Sequence, residues 1–191
     1  ERATFLDEGD REQVKDVAID DNGNGYITGV TASVELPTFE QLQSGFSRDR
    51  DIFIRTLDES GNLRHTTIIG GSQNDEVEGI DVNAQGNAYI TGATISPDLP
   101  VINAYQNTYQ EPSGFNTSNA FVMKVAVPQF SGRLEYSTYL GGGSNLGHYG
   151  NDIAVNDAGE AYITGFTSGD FPTVNAIQDK FNAFPHTPAG D

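Results

Sequence analysis

Tyr26-Ile27-Thr28-Gly29, Tyr89-Ile90-Thr91-Gly92 and Tyr162-Ile163-Thr164-Gly165 are three copies of one tetrapeptide, and their surroundings repeat with them. Each copy follows an apolar alternation and a turn: Val17-Ala18-Ile19 before Asp21-Asn22-Gly23-Asn24, Ile80-Asp81-Val82 before Ala84-Gln85-Gly86-Asn87, and Ile153-Ala154-Val155 before Asp157-Ala158-Gly159-Glu160. Each precedes a proline block, Leu36-Pro37-Thr38, Leu99-Pro100-Val101 and Phe171-Pro172-Thr173, with a glutamine six residues beyond the proline: Gln43, Gln106, Gln178. Recurrence in register marks a repeat architecture.

A second module lies between the copies. Ile52-Phe53-Ile54-Arg55-Thr56-Leu57 aligns with Ala120-Phe121-Val122-Met123-Lys124-Val125, and Leu63 to Gly71 aligns with Leu134 to Gly142. Thr4-Phe5-Leu6 fits the end of this module, with Asp7-Glu8 in place of Gly-Gly. Four short apolar segments per unit, separated by Gly, Asn and Asp turns, predict four antiparallel strands a to d. Strands a and b are apolar or small on both faces, which suits sheets stacked face to face about an axis rather than a sheet with one wet face. The glycine ending each Tyr-Ile-Thr-Gly suits a bulge or a close backbone approach. In the long b–c connection Phe39, Leu42 and Phe46 recur as Ile102, Tyr105 and Tyr109, then as Val174, Ile177 and Phe181. Those spacings predict short helical turns packed on the blade.

The 191-residue chain carries 10 basic and 27 acidic residues, for a formal charge of −17. So acidic a chain repels nucleic-acid phosphate. No apolar run reaches the ~18 residues of a membrane-spanning helix. The absence of cysteine excludes disulfides, thiolate metal sites and cysteine nucleophiles. Glu1-Arg2-Ala3-Thr4 has no basic n-region or apolar h-region, so an export signal is expected to have been removed or never to have been present.

Tyr136-Ser137-Thr138-Tyr139-Leu140-Gly141-Gly142, Asp152-Ile153-Ala154-Val155, Ala161-Tyr162-Ile163-Thr164-Gly165 and Asp170-Phe171-Pro172-Thr173 resemble the bacterial β-propeller repeat called SBBP. The resemblance implies four-stranded blades in a secreted or cell-surface bacterial protein, and brings no catalytic residues with it. The departures are Asp7-Glu8 and the tyrosine-free Thr66-Thr67-Ile68-Ile69.

The expected fold is therefore all-β: two full propeller blades of four antiparallel strands plus partial blades, with short helical insertions between strands b and c. Residues 1–191 form a single propeller segment with units near 16–78, 79–151 and 152–191, and 1–15 as the remnant of a preceding blade. Propellers close with about four to eight blades, so the chain is expected to be a fragment of a larger propeller, part of a homo-oligomer, or capped unusually. Residues 182–191, with two prolines, are a poor candidate for a missing c strand.

Asp20, Asp21, Asn22 and Asn24 are the calcium candidates, because alternating Asp and Asn about a glycine can supply several hard oxygens from one loop. Loss of most of these carboxylates in the other two copies favours a plain hairpin turn. Apart from calcium, no cofactor is suggested. Asp75 and Glu76 lie in the d-to-a connection, where acids can ring a channel mouth, hold a cation or polyhydroxylated ligand, or simply be solvated. Tyr105, Tyr109, Phe115 and Tyr149 could stack on sugars, with core packing as the alternative. His148 sits after a glycine-rich run that has no P-loop lysine, and the three histidines show no zinc spacing. No nucleophile elbow is present. The leading expectation is a non-catalytic, secreted or surface-displayed module that binds a protein or glycan through its loops. The alternatives are a structural matrix or filament component pairing through open blade edges, and a polysaccharide-acting hydrolase or lyase.

Overall fold

The computed structural model describes residues 12–33, 49–111, 117–127, 132–143 and 147–178. Ten strands form three antiparallel sheets. The first sheet runs β1 (Glu12–Ile19), β2 (Gly25–Thr31), β3 (Asp51–Leu57) and β4 (Leu63–Ile69); the second runs β5 (Asp75–Val82), β6 (Asn87–Thr94), β7 (Asn119–Ala126) and β8 (Arg133–Leu140). β9 (His148–Val155) pairs with β10 (Ala161–Thr167) in the third. The four expected strands per unit are present in both full sheets, joined as a meander. The sheets change between Ile69 and Asp75 and between Leu140 and His148, a few residues ahead of the expected unit limits. Strand a begins before its apolar alternation does, because a bulge interrupts the pattern.

That bulge explains the invariant glycine of the tetrapeptide. Register slips between Val14 and Asp16 in β1, between Val77 and Gly79 in β5, and opposite Thr164 and Gly165 in the third sheet. The extra residues are Lys15, Glu78 and Asn151. Opposite each stands Gly29, Gly92 or Gly165, where an added Cβ would lie 2.1, 1.9 or 2.1 Å from the carbonyl oxygen of Gln13, Glu76 or Tyr149. A side chain cannot fit against a bulged strand that close.

The other three residues of the motif have distinct tasks. Thr28 and Thr91 donate to the carbonyls of Phe53 and Phe121 at 2.9 and 2.7 Å, tying strand b to strand c inside the core. Ile90 joins the core shared with the preceding sheet, where Ile52 and Ile54 of β3 meet Ile80 and Phe121 of the second sheet. Tyr26 and Tyr89 point the other way and reach the a–b turn glycines of the following sheet, with Tyr26 Oη near the Gly86 carbonyl. β5 thus lies across β1, β2 and β3, and β9 across β5, β6 and β7. Each sheet covers the face of the one before it, a propeller-like fan.

The helical turns expected in the b–c connection are not formed among the described residues. Among the described residues there is no helix, and 97–111 run as an extended tether along β8. Ile102 makes an antiparallel bridge with Ser137, and Gln106 clamps Gly141, its Oε1 accepting from the amide at 3.0 Å and its Nε2 donating to the carbonyl at 3.1 Å. The open edge of β8 offers backbone groups that an extended chain satisfies and a helix could not. Phe39, Leu42, Phe46, Phe181, Thr4–Leu6 and 182–191 lie outside the described residues.

Candidate functional site

The a strands converge, and charged side chains link them. The bulged Lys15 pairs with the equivalent Glu78 at 2.7 Å. Asp16 accepts from the Ile80 amide at 2.9 Å, and Asp81 from the Val155 amide at 2.7 Å. Each carboxylate thereby satisfies an amide of the next sheet's first strand.

A second set of contacts joins the end of one sheet to the start of the next. Asp75 is fully buried and accepts from the Gly71 amide at 2.6 Å, Thr94 Oγ1 at 2.5 Å and Ser96 Oγ at 3.1 Å. Its repeat equivalent is His148, also fully buried. The Gly142 amide donates to His148 Nε2 at 2.9 Å and Nδ1 pairs with Thr167 Oγ1 at 2.8 Å, so the ring is the neutral Nδ1–H form. Both residues close the same joint. Burial holds the His148 pKa below the ordinary histidine value, against the opposing influence of Asp170. The Gly-Gly pairs are required here too: a Cβ on Gly71 would lie 2.3 Å from Ser96, and one on Gly142 only 1.5 Å from the Asp170 carbonyl.

Strand c contributes the other half of each joint. Asn119, at the head of β7, bonds the Gln110 backbone in both directions at 3.1 and 2.9 Å. Its equivalent Asp51 is 3% exposed, and its Oδ1 has no hydrogen-bond partner. Burial first, and then Asp75 and Asp49, push the Asp51 pKa up to about 7. Burial also pushes Asp75 up, to about 6, against its three hydrogen bonds.

Beside the first joint opens a groove of about 440 Å³ lined by Glu12, Gln13, Val30, Asp49, Arg50 and Asn74. These residues come from the start of β1, the end of β2, the lead into β3 and the d–a connection, so one end of the first sheet forms it. Arg50 reaches Glu76 at 2.7 Å, and Asn74 Oδ1 takes the Arg50 amide at 3.1 Å. At the turn end, a cavity of about 370 Å³ is lined by Asn24, Tyr26, Leu57, Asp58 and His65 among others.

The residues singled out from the sequence do not converge on one site. Asp20 Oδ1 accepts from the amides of Asn22 and Asn24, and Oδ2 from Asn24 Nδ2 and Tyr26 Oη. Burial acts to raise the Asp20 pKa, but these bonds outweigh it and lower the value. Asp21 and Asn22 are exposed. The same closed turn recurs on Asp58, Asn83 and Asn156. Among the described residues, no group of three or more His, Asp or Glu side chains could hold a metal ion. Asp75 is interior while Glu76 faces outward beside the groove. Tyr105 is 57% exposed on the tether, whereas Tyr109 packs edge-on against Tyr139 and donates to the Thr117 carbonyl. Tyr149 lies against Phe166 in the third sheet with the rings tilted at 44°, and Phe115 lies outside the described residues. Sequence reasoning passed over Asp51 and Arg50. The available signal was the alignment of Asp51 with Asn119 just ahead of the apolar run of strand c.

No curated protein matches the chain. Residues 135–172 match the family described as SBBP, beta-propeller repeat. The matched segment runs through β8, β9 and β10 and contains Gly141, Gly142, His148, Thr167 and Asp170, so it spans a joint and not a single sheet. Within the chain it is therefore residues 135–172 that are similar to an SBBP beta-propeller repeat.

Proposed function

We propose that this chain is a non-catalytic module of a secreted or surface-displayed bacterial protein, and that it binds a protein or glycan partner in the groove beside the first joint. The groove carries this reading. Asp49, Arg50 and Asn74 bring a carboxylate, a guanidinium and an amide to one concavity, the mixture that hydrogen-bonds hydroxyls or a polar backbone, while Glu12 beneath them is paired with the buried Arg55. The reading needs no cofactor. Among the described residues no helix is long and apolar enough to cross a membrane. The raised carboxyls that a hydrolase would need, Asp51 and Asp75, are interior, and three donors already occupy Asp75. The test is calorimetric titration of the protein with a panel of acidic and neutral oligosaccharides and peptides. Saturable binding lost in Arg50→Ala is the expected result. Turnover of a glycan or ester, abolished by one Asp or Glu substitution, overturns it.

A structural role is the second reading, favoured by apolar side chains on the two outermost faces. Val17 and Ile19 of β1 are 58% and 70% exposed, and Tyr162 and Phe166 of β10 are 63% and 48% exposed. Light scattering showing concentration-dependent growth supports it; a strict monomer at high concentration opposes it.

A further inference from the structure

The joint between the first and second sheets differs from the joint between the second and third in one chemical respect. Asn119 and His148 close the second with neutral side chains, whereas Asp51 and Asp75 occupy the same two positions in the first. Both carboxyls are buried, at 3% and 0% exposure. Two carboxylates buried at one joint, each within the other's field, cannot both stay ionised away from water without a compensating cation. Asp49 and Arg50 precede β3, Glu76 lies on β5, Asp98 on the tether after β6, and Tyr139 on β8. Arg50, the cation of this set, is committed to Glu76 at 2.7 Å. Asp98 is held ionised, first by the Ser72 amide, and adds to the negative field.

The hydrogen bonds decide which carboxyl keeps a proton. Asp75 accepts three donors, one amide and two hydroxyls, which favour its anion. Asp51 Oδ1 receives none, so the neutral acid costs least there. A Cβ on Gly70 would lie only 1.9 Å from that oxygen, so the strand end closes over it. We propose that Asp51 and Asp75 hold one proton between them on the acid side of neutrality, carried by Asp51, and that its loss to solvent base as pH rises loosens the joint between the first two sheets. The joint is a pH-sensitive element that its repeat equivalent lacks.

The sign follows from linkage. A native carboxyl raised to about 7 from an unfolded value of 3.8 binds the extra proton only when folded. Its stabilisation is complete below the unfolded value and is lost as pH rises through about 7. The test uses the 191-residue chain. Carbon-13 shifts of its aspartate carboxyls are followed between about pH 4 and 9, alongside urea denaturation of the unmodified protein and Asp51→Asn over the same range. The Asp51 carboxyl is expected to titrate near 7, not near 4. The unmodified protein then loses stability as pH rises from about 4 through about 7, and Asp51→Asn makes that slope shallower, leaving the part that belongs to Asp75. An Asp51 carboxyl already ionised at about pH 5, or an unchanged slope in Asp51→Asn, overturns the proposal. The carbon-13 titration decides the matter even if the variant fails to fold.

Discussion

Gly92 faces the Glu76 carbonyl across a bulge with no space for a methyl group, so Gly92→Ala must push two paired strands apart. The expected loss is about 1–3 kcal/mol, read as a lower urea midpoint at unchanged m-value. Thr91→Val keeps the volume but leaves the buried Phe121 carbonyl without its hydroxyl donor. It should cost about 1–3 kcal/mol in the same assay. His148 titrates with the opposite sign to Asp51. Its native pKa lies below the ordinary histidine value, so its contribution is complete above about 6.5 and falls away as pH drops through the native value. A proton on Nε2 would face the Gly142 amide that now donates to it. Replacing His148 with Gln should flatten the acid side of the stability profile, measured by denaturation midpoints between about pH 4 and 7.

At the scale of elements, the strands were legible because alternation, turn glycines and the repeat all pointed the same way. The tether was not. Ile102, Tyr105 and Tyr109 have helical spacing, yet an unpaired edge on β8 draws the segment into extended pairing, and Gln106 fastens it. This gives the glutamine six residues after Pro100 a structural cause that the sequence alone does not show. Gln106→Ala removes two hydrogen bonds to Gly141 and should cost about 1–3 kcal/mol. Amide exchange should accelerate at Tyr139 and Gly141 while β5 and β6 stay protected. The site residues were legible only in part for a related reason. Asp75 and Glu76 are neighbours in sequence but on opposite faces of a strand, so one became a joint and the other a groove flank.

For the whole molecule, the tyrosine of the repeated motif reports whether a sheet is covered. Tyr26 and Tyr89 are 4% and 5% exposed beneath the following sheet, while Tyr162 is 63% exposed. Tyr89→Ala should therefore cost about 3 kcal/mol or more, whereas Tyr162→Ala should change stability by no more than about 0.5 kcal/mol. Paired denaturation curves of the two variants check this. The two joints respond to pH in opposite directions, so the contributions of Asp51 and His148 oppose one another where their titrations overlap, below about 6.5.

The sequence by itself determined the repeat, the four-strand unit, the bulge-facing glycine and the sheet-on-sheet stacking, because these follow from local periodicity, turn chemistry and burial on both strand faces. Only the tertiary structure decided that Asp75 and His148 do the same work, that Asp51 and Asp75 are buried at the same joint, and that the b–c segment lies along a strand edge. Each of those depends on which backbone donors and carboxyls meet across sheets, a matter of distance in space on which spacing along the chain is silent.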